Sequence, residues 1–307
     1  VIDFINQYLI PALVLGCVYA LGAIGLSLIF AILRFAHFAH GDLMALGAYL
    51  GLALVWALDA VVPLGNLSIN IKMLILLPFA FLGTAGAAIV IDRLFYRPFR
   101  KAKTIILVIA SFGIALMLRS LIQLVFGVDV TNYADGIQFP LHTLLPLRIL
   151  ERHIYIVVVT IALMFALHFM LTRTRTGKAM RAMSDDADLA RVSGINTERV
   201  IVWTWIIGGG LAAVAGIFLG MDTQLVPTMG WNMLLPTFAA AILGGLGRPY
   251  GAIVGGMIIG GLEELSTYPW IGNQPLIEPD YKTAVAFGVM VLMLIFRPQG
   301  LFSGRVL

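Results

Sequence analysis

The chain has 307 residues, 60% hydrophobic and only 12% charged, with a mean hydropathy of +0.97. A soluble domain carries about 25% charged residues, so this composition describes a polytopic membrane protein and excludes a large soluble domain. The formal net charge of +4 comes from Lys and Arg gathered in loops beside apolar runs, with no aromatic-basic patch, so it carries no nucleic-acid signal.

A membrane span needs about 20 apolar residues. On that length the sequence predicts an all-α polytopic membrane protein of about 8–9 transmembrane or broken helices, forming one domain over residues 1–307. Nine apolar segments are expected, at 7–31, 38–58, 73–91, 104–126, 154–171, 200–220, 234–246, 251–265 and 283–296. The sequence opens VIDFINQYLI, without a basic n-region or a small-residue cleavage site, so the first span is expected to remain. The second segment is interrupted by His40, Gly41, Asp42 and Gly47. A loop with Pro63, Gly65 and Asn66 precedes the third, and a basic loop with Arg93, Arg97, Arg100, Lys101 and Lys103 follows it. Asp129, Asp135, Pro140 and Pro146 mark a longer mixed loop before the fifth. Cys17, the single cysteine, sits in an apolar run and excludes a disulfide or thiolate metal site within the chain.

The longest polar run, TRTRTGKAMRAMSDDADLARVSGINTER at 172–199, separates the fifth and sixth segments. It predicts two short helices. Gly177 to Met183 is rich in helix formers, Ser184 is placed to cap the second helix, and Asp185 and Asp186 suit the positive end of its dipole. Arg191 falls in its last turn and Gly194 is a C′-type stop. Ala187, Leu189, Ala190 and Val192 form a small apolar stripe with charged flanks. A solvated connector and a docking helix both fit this pattern.

If this loop is cytoplasmic, alternation puts all but five of the 20 Lys and Arg on the same side. The five are Lys72, Arg119, Arg148, Arg152 and Lys282; Arg305 falls with the majority. That asymmetry follows the positive-inside rule and puts the N-terminus outside and the C-terminus inside. The last four segments then run opposite to the first four. Each group opens on a Gly/Ala-rich span, GCVYALGAIG and GGGLAAVAG, which is the pattern of an inverted repeat.

Two stretches carry polar or flexible groups at membrane depth. FAHFAHGDLMALGAY, residues 35–49, holds His37, His40, Gly41 and Asp42. Such groups normally face a bundle interior or a water-filled path. Pairing at the interface, a substrate path and a metal site are the three readings, and the metal reading lacks a further ligand to complete it. AAAILGGLGRPYGAIVGGMIIGG, residues 239–261, is glycine-dense, with Gly244, Gly245 and Gly247 at a reversal. Tight helix packing accounts for most of these glycines, and two short broken segments meeting at mid-membrane also point to a path. Arg119, near the outer end of the fourth segment, is expected to snorkel to the interface. Asp222, Glu263 and Glu264 are expected near outer interfaces. Lys178 follows Gly177 without the spacing of a phosphate-binding loop, so any ATP hydrolysis must occur on another chain. A stand-alone secondary transporter needs an intramembrane coupling acid, for which Asp42 is the candidate.

Taken together, GCVYALGAIGLSLIFAILRFAHFAHGDLMALGAY, YRPFR, RTRTGKAMRAMSDDADLARVSGINTERVI, FAAAILGGLGRPYGAIVGGMIIGGLEE and FRPQGLF resemble the permease subunits of ABC importers for branched-chain amino acids, the LivH type. The pieces stand in family order and spacing and cover most of the chain outside its outer loops. His37 departs from the usual Asn, and Arg248-Pro249-Tyr250 from the usual Ser-Ile-Pro. The resemblance implies a non-enzymatic subunit in a bacterial inner membrane, forming half of a translocation path for amino acids. Its implied partners are a second, similar permease chain, two cytoplasmic ATPase subunits that hold ATP and Mg²⁺, and an external substrate-binding protein. This chain itself would carry no cofactor and no metal. Gly177, Arg181, Asp185, Asp186, Leu189, Arg191 and Gly194 match the family's coupling segment. Other members carry urea, short amides or other amino acids.

Overall fold

The computed structural model describes residues 2–61, 68–133, 147–270 and 274–302. Pro63, Gly65, Asn66, Asp135, Pro140, Pro146 and Arg305 lie outside them. The described residues form an all-α bundle. A short turn α1 (Ile2–Phe4) leads into α2 (Ile10–Leu33), then α3 (His40–Val61), α4 (Ile69–Ile91), α5 (Thr104–Phe126) and α6 (Glu151–Arg173). Two short helices follow, α7 (Arg175–Asp185) and α8 (Ala187–Val192). The chain continues through α9 (Thr197–Asp222), α10 (Met229–Gly244), α11 (Pro249–Ser266) and α12 (Thr283–Phe296). Helices are what a chain in hydrocarbon must form, because each backbone donor and acceptor then finds its partner within the segment.

Among the described residues seven helices, counting Ile2–Leu33 and Ile69–Phe99 as continuous and Pro279–Phe296 as one, are long and apolar enough to cross a membrane. α10 is apolar but shorter. Against the expected 8–9 spans, the described residues thus give seven on length and composition. α5 and α12 have the expected bounds, whereas α6 and α9 begin three residues earlier, on the polar runs 151–153 and 197–199, and α4 begins four earlier, in a turn that carries Asn70 and Lys72.

α2 and α9 are buried over most of their length and form the centre. α2 packs chiefly on α11, α9 and α10, and α9 chiefly on α3, α2 and α4. Small residues set the approach: a Cβ on Gly256 of α11 would lie 2.4 Å from Ala20 Cα, and one on Gly216 of α9 would lie 1.8 Å from Met44 O. α4, α5, α6 and α12 turn large apolar side chains outward, among them Phe79, Leu124, Phe165 and Ile295, as a lipid-facing shell requires.

The expected interruption of the second segment at His40, Gly41, Asp42 and Gly47 is instead a continuous helix, and the break lies before it. Arg34 takes the left-handed conformation (φ 57°) and its N–H donates to Phe30 O at 3.0 Å, ending α2. After a short connector, His40 opens α3 against Gly22 O at 2.9 Å. Gly22 lies eleven residues before the end of α2, roughly 16 Å along the helix, so α3 begins inside the bundle.

Candidate functional site

Two places collect the residues singled out in the sequence. The first is the α7–α8 hairpin. Thr174 caps α7, its hydroxyl oxygen accepting from Gly177 N at 3.0 Å. A Cβ on Gly177 would lie 2.3 Å from Met170 O, so the chain folds back on α6 only because this residue has no side chain. α8 is capped by Asp186, whose Oδ1 accepts from Asp188 N and Leu189 N at 2.9 Å each. This corrects the expected cap: Ser184 remains inside α7, fully buried, and Asp186 has the extended backbone a cap needs. Asp185, the last residue of α7, is exposed, and Arg181 half-buried. Gly194 stops α8 at φ 84°. Ala190 faces inward while Leu189 and Val192 are 64% and 86% exposed, flanked by the exposed Arg191–Asp188 pair at 3.5 Å. Such a pair adds little stability, so α8 is an apolar and charged knob presented away from its own bundle.

The second place is the start of α3. His37 is fully buried; its Nε2 lies 2.9 Å from Tyr96 Oη and its ring meets the edge of Trp205 at 5.1 Å. Tyr96 stacks on Trp205 at 5.4 Å. Phe38 stacks between Phe112 and Phe238, at 4.2 and 5.2 Å. Gly41 lies against Gly230 at the start of α10: a Cβ on Gly41 would be 2.1 Å from Gly230 O, and the reciprocal one 2.3 Å from Gly41 O. Two helix N-termini therefore touch inside the bundle. Beside them Asp42 pairs with Arg119 of α5 in a two-point contact, Nε to Oδ1 and Nη2 to Oδ2, both 3.1 Å. Arg119 does not snorkel, because a carboxylate at its own depth neutralises it and Trp231 lies 5.1 Å below the guanidinium.

A connection runs between these places. Arg34, which opens the connector to α3, donates from its guanidinium to the backbone carbonyl of Ser184 in α7. Gly244, Gly245 and Gly247 lie elsewhere. Gly245 (φ 102°) and Gly247 (φ 81°) make the α10–α11 reversal, which packs on the segment after α12, with Leu301 N donating to Leu243 O at 2.8 Å. The two segments close on each other there, a Cβ on Gly244 lying 2.1 Å from Gly251 O, and a second close meeting joins the starts of α3 and α10. Glu263 is also displaced from its expected interface position: it is fully buried and accepts from Tyr19 Oη at 2.6 Å. Asp222 does lie at a helix end, paired with Arg152 and His153 at 3.5 and 3.4 Å in a polar cleft of about 760 Å³ with Asn70 and Gln224. Among the described residues no three His, Cys, Asp or Glu side chains cluster as metal ligands.

Sequence reasoning missed Arg119, Tyr96, Trp205 and Trp231 as members of this site. The usable signal was charge balance: a lone Asp and a lone Arg within spans of one protein are cheapest when paired.

These features define a multi-pass membrane protein with a polar crossing of helix starts inside it and a capped helix displayed at one end. The family model described as "Branched-chain amino acid transport system / permease component" matches residues 8–294. The chain belongs to that family, whose members are non-catalytic transport subunits of ABC importers. It is 32% identical over 310 residues to the high-affinity branched-chain amino acid permease protein BraD of Pseudomonas aeruginosa, covering 97% of this chain and 95% of that one. Identity to LivH of Escherichia coli K12 is also 32%, over 309 residues with the same coverage. A probable LivH of Methanocaldococcus jannaschii is 29% identical, covering 94% and 90% of the two chains. Among solved structures, PsaBC from Streptococcus pneumoniae shares the fold at a TM-score of 0.50 and 16% identity, over 97% of this chain and 95% of that one.

Proposed function

We propose that this chain forms half of the translocation path of an ATP-driven importer for amino acids of the branched-chain class, Leu, Ile and Val. Family membership and the names of the 32%-identical relatives support that substrate class. The observation that carries the mechanism is the Arg34 tie, which joins α7 to the connector leading to the start of α3. In this reading Gly177, Arg181, Asp185, Asp186, Leu189, Arg191 and Gly194 build a cytoplasmic coupling segment, about residues 172–199, that docks in an ATPase subunit. Displacing α8 then pulls through Arg34 on the connector that carries His37, and His40, Gly41 and Asp42 move as one end of a rigid helix. Gly244, Gly245 and Gly247 hold the inner turn of the path.

The complete importer pairs this chain with a second, similar permease, two ATPase subunits and an external binding protein. The single permease domain sits in a bacterial inner membrane with its N-terminus outside and its C-terminus inside. The polar cleft at Arg152 and Asp222 then opens on the outer face. An inverted repeat of α2–α5 and α9–α12 is supported by the packing, since α2 lies on α11 and α10 as α9 lies on α4 and α3.

Reversing the charge of the coupling helix tests the docking. Asp185→Lys with Asp186→Lys removes the α8 cap and two carboxylates, and is expected to lower co-purification of the ATPases by at least about tenfold. Full recovery of the ATPases with the double variant would refute the assignment.

A further inference from the structure

Arg119 is a partly exposed guanidinium in the middle of an apolar face. Its side chain is 16% exposed while that of its partner Asp42 is 1% exposed. Around it Phe112, Leu116, Trp231 and Leu235 turn outward, Trp231 to 45%. Arg119 lies seven residues before the end of α5, about 10 Å into the span. Even paired with Asp42, a guanidinium edge left open to hydrocarbon at that depth is expensive, so this opening suits a polar visitor or water better than lipid. The local charges show the sign of that visitor. The starts of α3 and α10 bring two positive helix ends together at Gly41 and Gly230, and Arg119 adds a full positive charge. Against these stands one resident carboxylate, Asp42, in the first turn of α3. The site is electropositive and already holds a carboxylate in two-point geometry on a guanidinium.

We propose that Arg119, Asp42 and Trp231 form a station on the path for solutes bearing a free α-carboxylate beside an ammonium group. The solute's carboxylate takes the guanidinium fork that Asp42 occupies in this structure. Asp42, released from Arg119, accepts hydrogen bonds from the solute's ammonium, and the Trp231 face covers the pair. The exchange turns one ion pair into two and leaves the net charge at this depth unchanged, so an amino acid crosses without stranding a buried charge. Urea and short amides, which have no carboxylate, gain nothing from such an exchange. The proposal rests on the path reading above and adds the chemistry that selects the solute.

The test uses the full importer, co-expressed with its partner chains and reconstituted in vesicles with its binding protein outside. In Asp42→Asn/Arg119→Gln, two neutral polar side chains replace the pair, so no lone charge remains. Expected are normal assembly, normal ATP hydrolysis with loaded binding protein, and leucine uptake reduced about 30-fold or more. Uptake within twofold of wild type would reduce the pair to a structural tie and overturn the proposal, as would a wild-type importer that carries urea and not leucine. Should the double variant fail to assemble, Trp231→Cys decides. Trp231 is exposed, and the native Cys17 is buried. A thiol reagent on the introduced cysteine should block uptake, and leucine under turnover should slow the labelling at least about fivefold. Labelling that leaves uptake unchanged brings down the path reading itself. Labelling that blocks uptake but is not slowed by leucine removes the station alone.

Discussion

The stretch between α2 and α3 and the stretch between α9 and α10 each take the chain from the end of a long buried helix to a helix that starts inside the bundle. The first is lined by His37, Phe38 and His40 and is held by Arg34 to the carbonyl of Ser184, at the α7–α8 end. The second is held at the opposite end: Leu225 and Thr131 exchange backbone hydrogen bonds at 2.8 and 3.0 Å, and Asp222 pairs with Arg152 and His153. The two starts meet at Gly41 and Gly230. One kind of join thus has two anchors on opposite ends of the molecule. In the proposed path, a movement delivered at either anchor would reach the same backbone contact, as opening from alternate sides requires.

Separating the two starts should have the largest effect. Gly41→Val places a side chain 2.1 Å from Gly230 O, where backbone rather than a flexible side chain must give way. Overpacking of this kind costs typically 1–3 kcal/mol and occasionally more. Uptake in reconstituted vesicles is expected to be lost, with a reduced folded fraction on size-exclusion chromatography in detergent. Gly86→Ala is the matched control, since nothing lies within 4 Å of its Cβ and Ala favours the helix by about 1 kcal/mol. Normal uptake by Gly41→Val would mean that the contact of the two starts is incidental.

Cutting the two anchors in turn should have an intermediate and unequal effect. Arg34→Ala frees the connector from α7 and leaves the Ser184 carbonyl without the guanidinium. ATP hydrolysis is expected to persist while uptake per ATP falls about tenfold, the loss of one charge-assisted hydrogen bond. Asp222→Asn, at the other anchor, should leave the ratio of uptake to hydrolysis within about twofold, because its two partners are partly solvated. Equal loss of that ratio in both variants would show that the anchors are not specialised.

The course of the helices was legible in the sequence, because period, apolar length and charge asymmetry are local properties of a segment. α5 and α12 could be bounded from hydropathy alone, while α9 could not, since Thr197, Glu198 and Arg199 are helical yet polar. The cap of α8 failed for a related reason. Ser184 and Asp186 are both competent caps by residue type, and the choice between them depends on how α7 is held from outside, through Arg34. The site was half legible. His37, His40, Gly41 and Asp42 announce themselves as polar or flexible groups in an apolar run, but their partners Tyr96, Arg119, Trp205 and Gly230 are 59 or more positions away in sequence. Nothing in the spacing of one segment records which residue of another it touches.

The finest distinction between the anchors is made by Tyr133. Its hydroxyl donates to Ala48 O of α3 at 2.7 Å and lies beside Gly51, so it ties the body of α3 to the end that holds the Thr131–Leu225 bridge. Burial pushes this hydroxyl well above its ordinary value. The protonated form is therefore the one present at neutral pH and through the mildly alkaline range, and the donated bond should not vary with pH there. Tyr133→Phe removes the donor and leaves the Ala48 carbonyl with its helical partner, a loss of about 1 kcal/mol. The expected result is a small fall in thermal stability, uptake within about twofold of wild type and an unchanged ratio of uptake to hydrolysis. That pattern would mark the bond as support for the position of α3 at the end away from α7. A change in coupling as large as that of Arg34→Ala would instead put the control of α3 at both of its ends, and the two anchors would then act as equals.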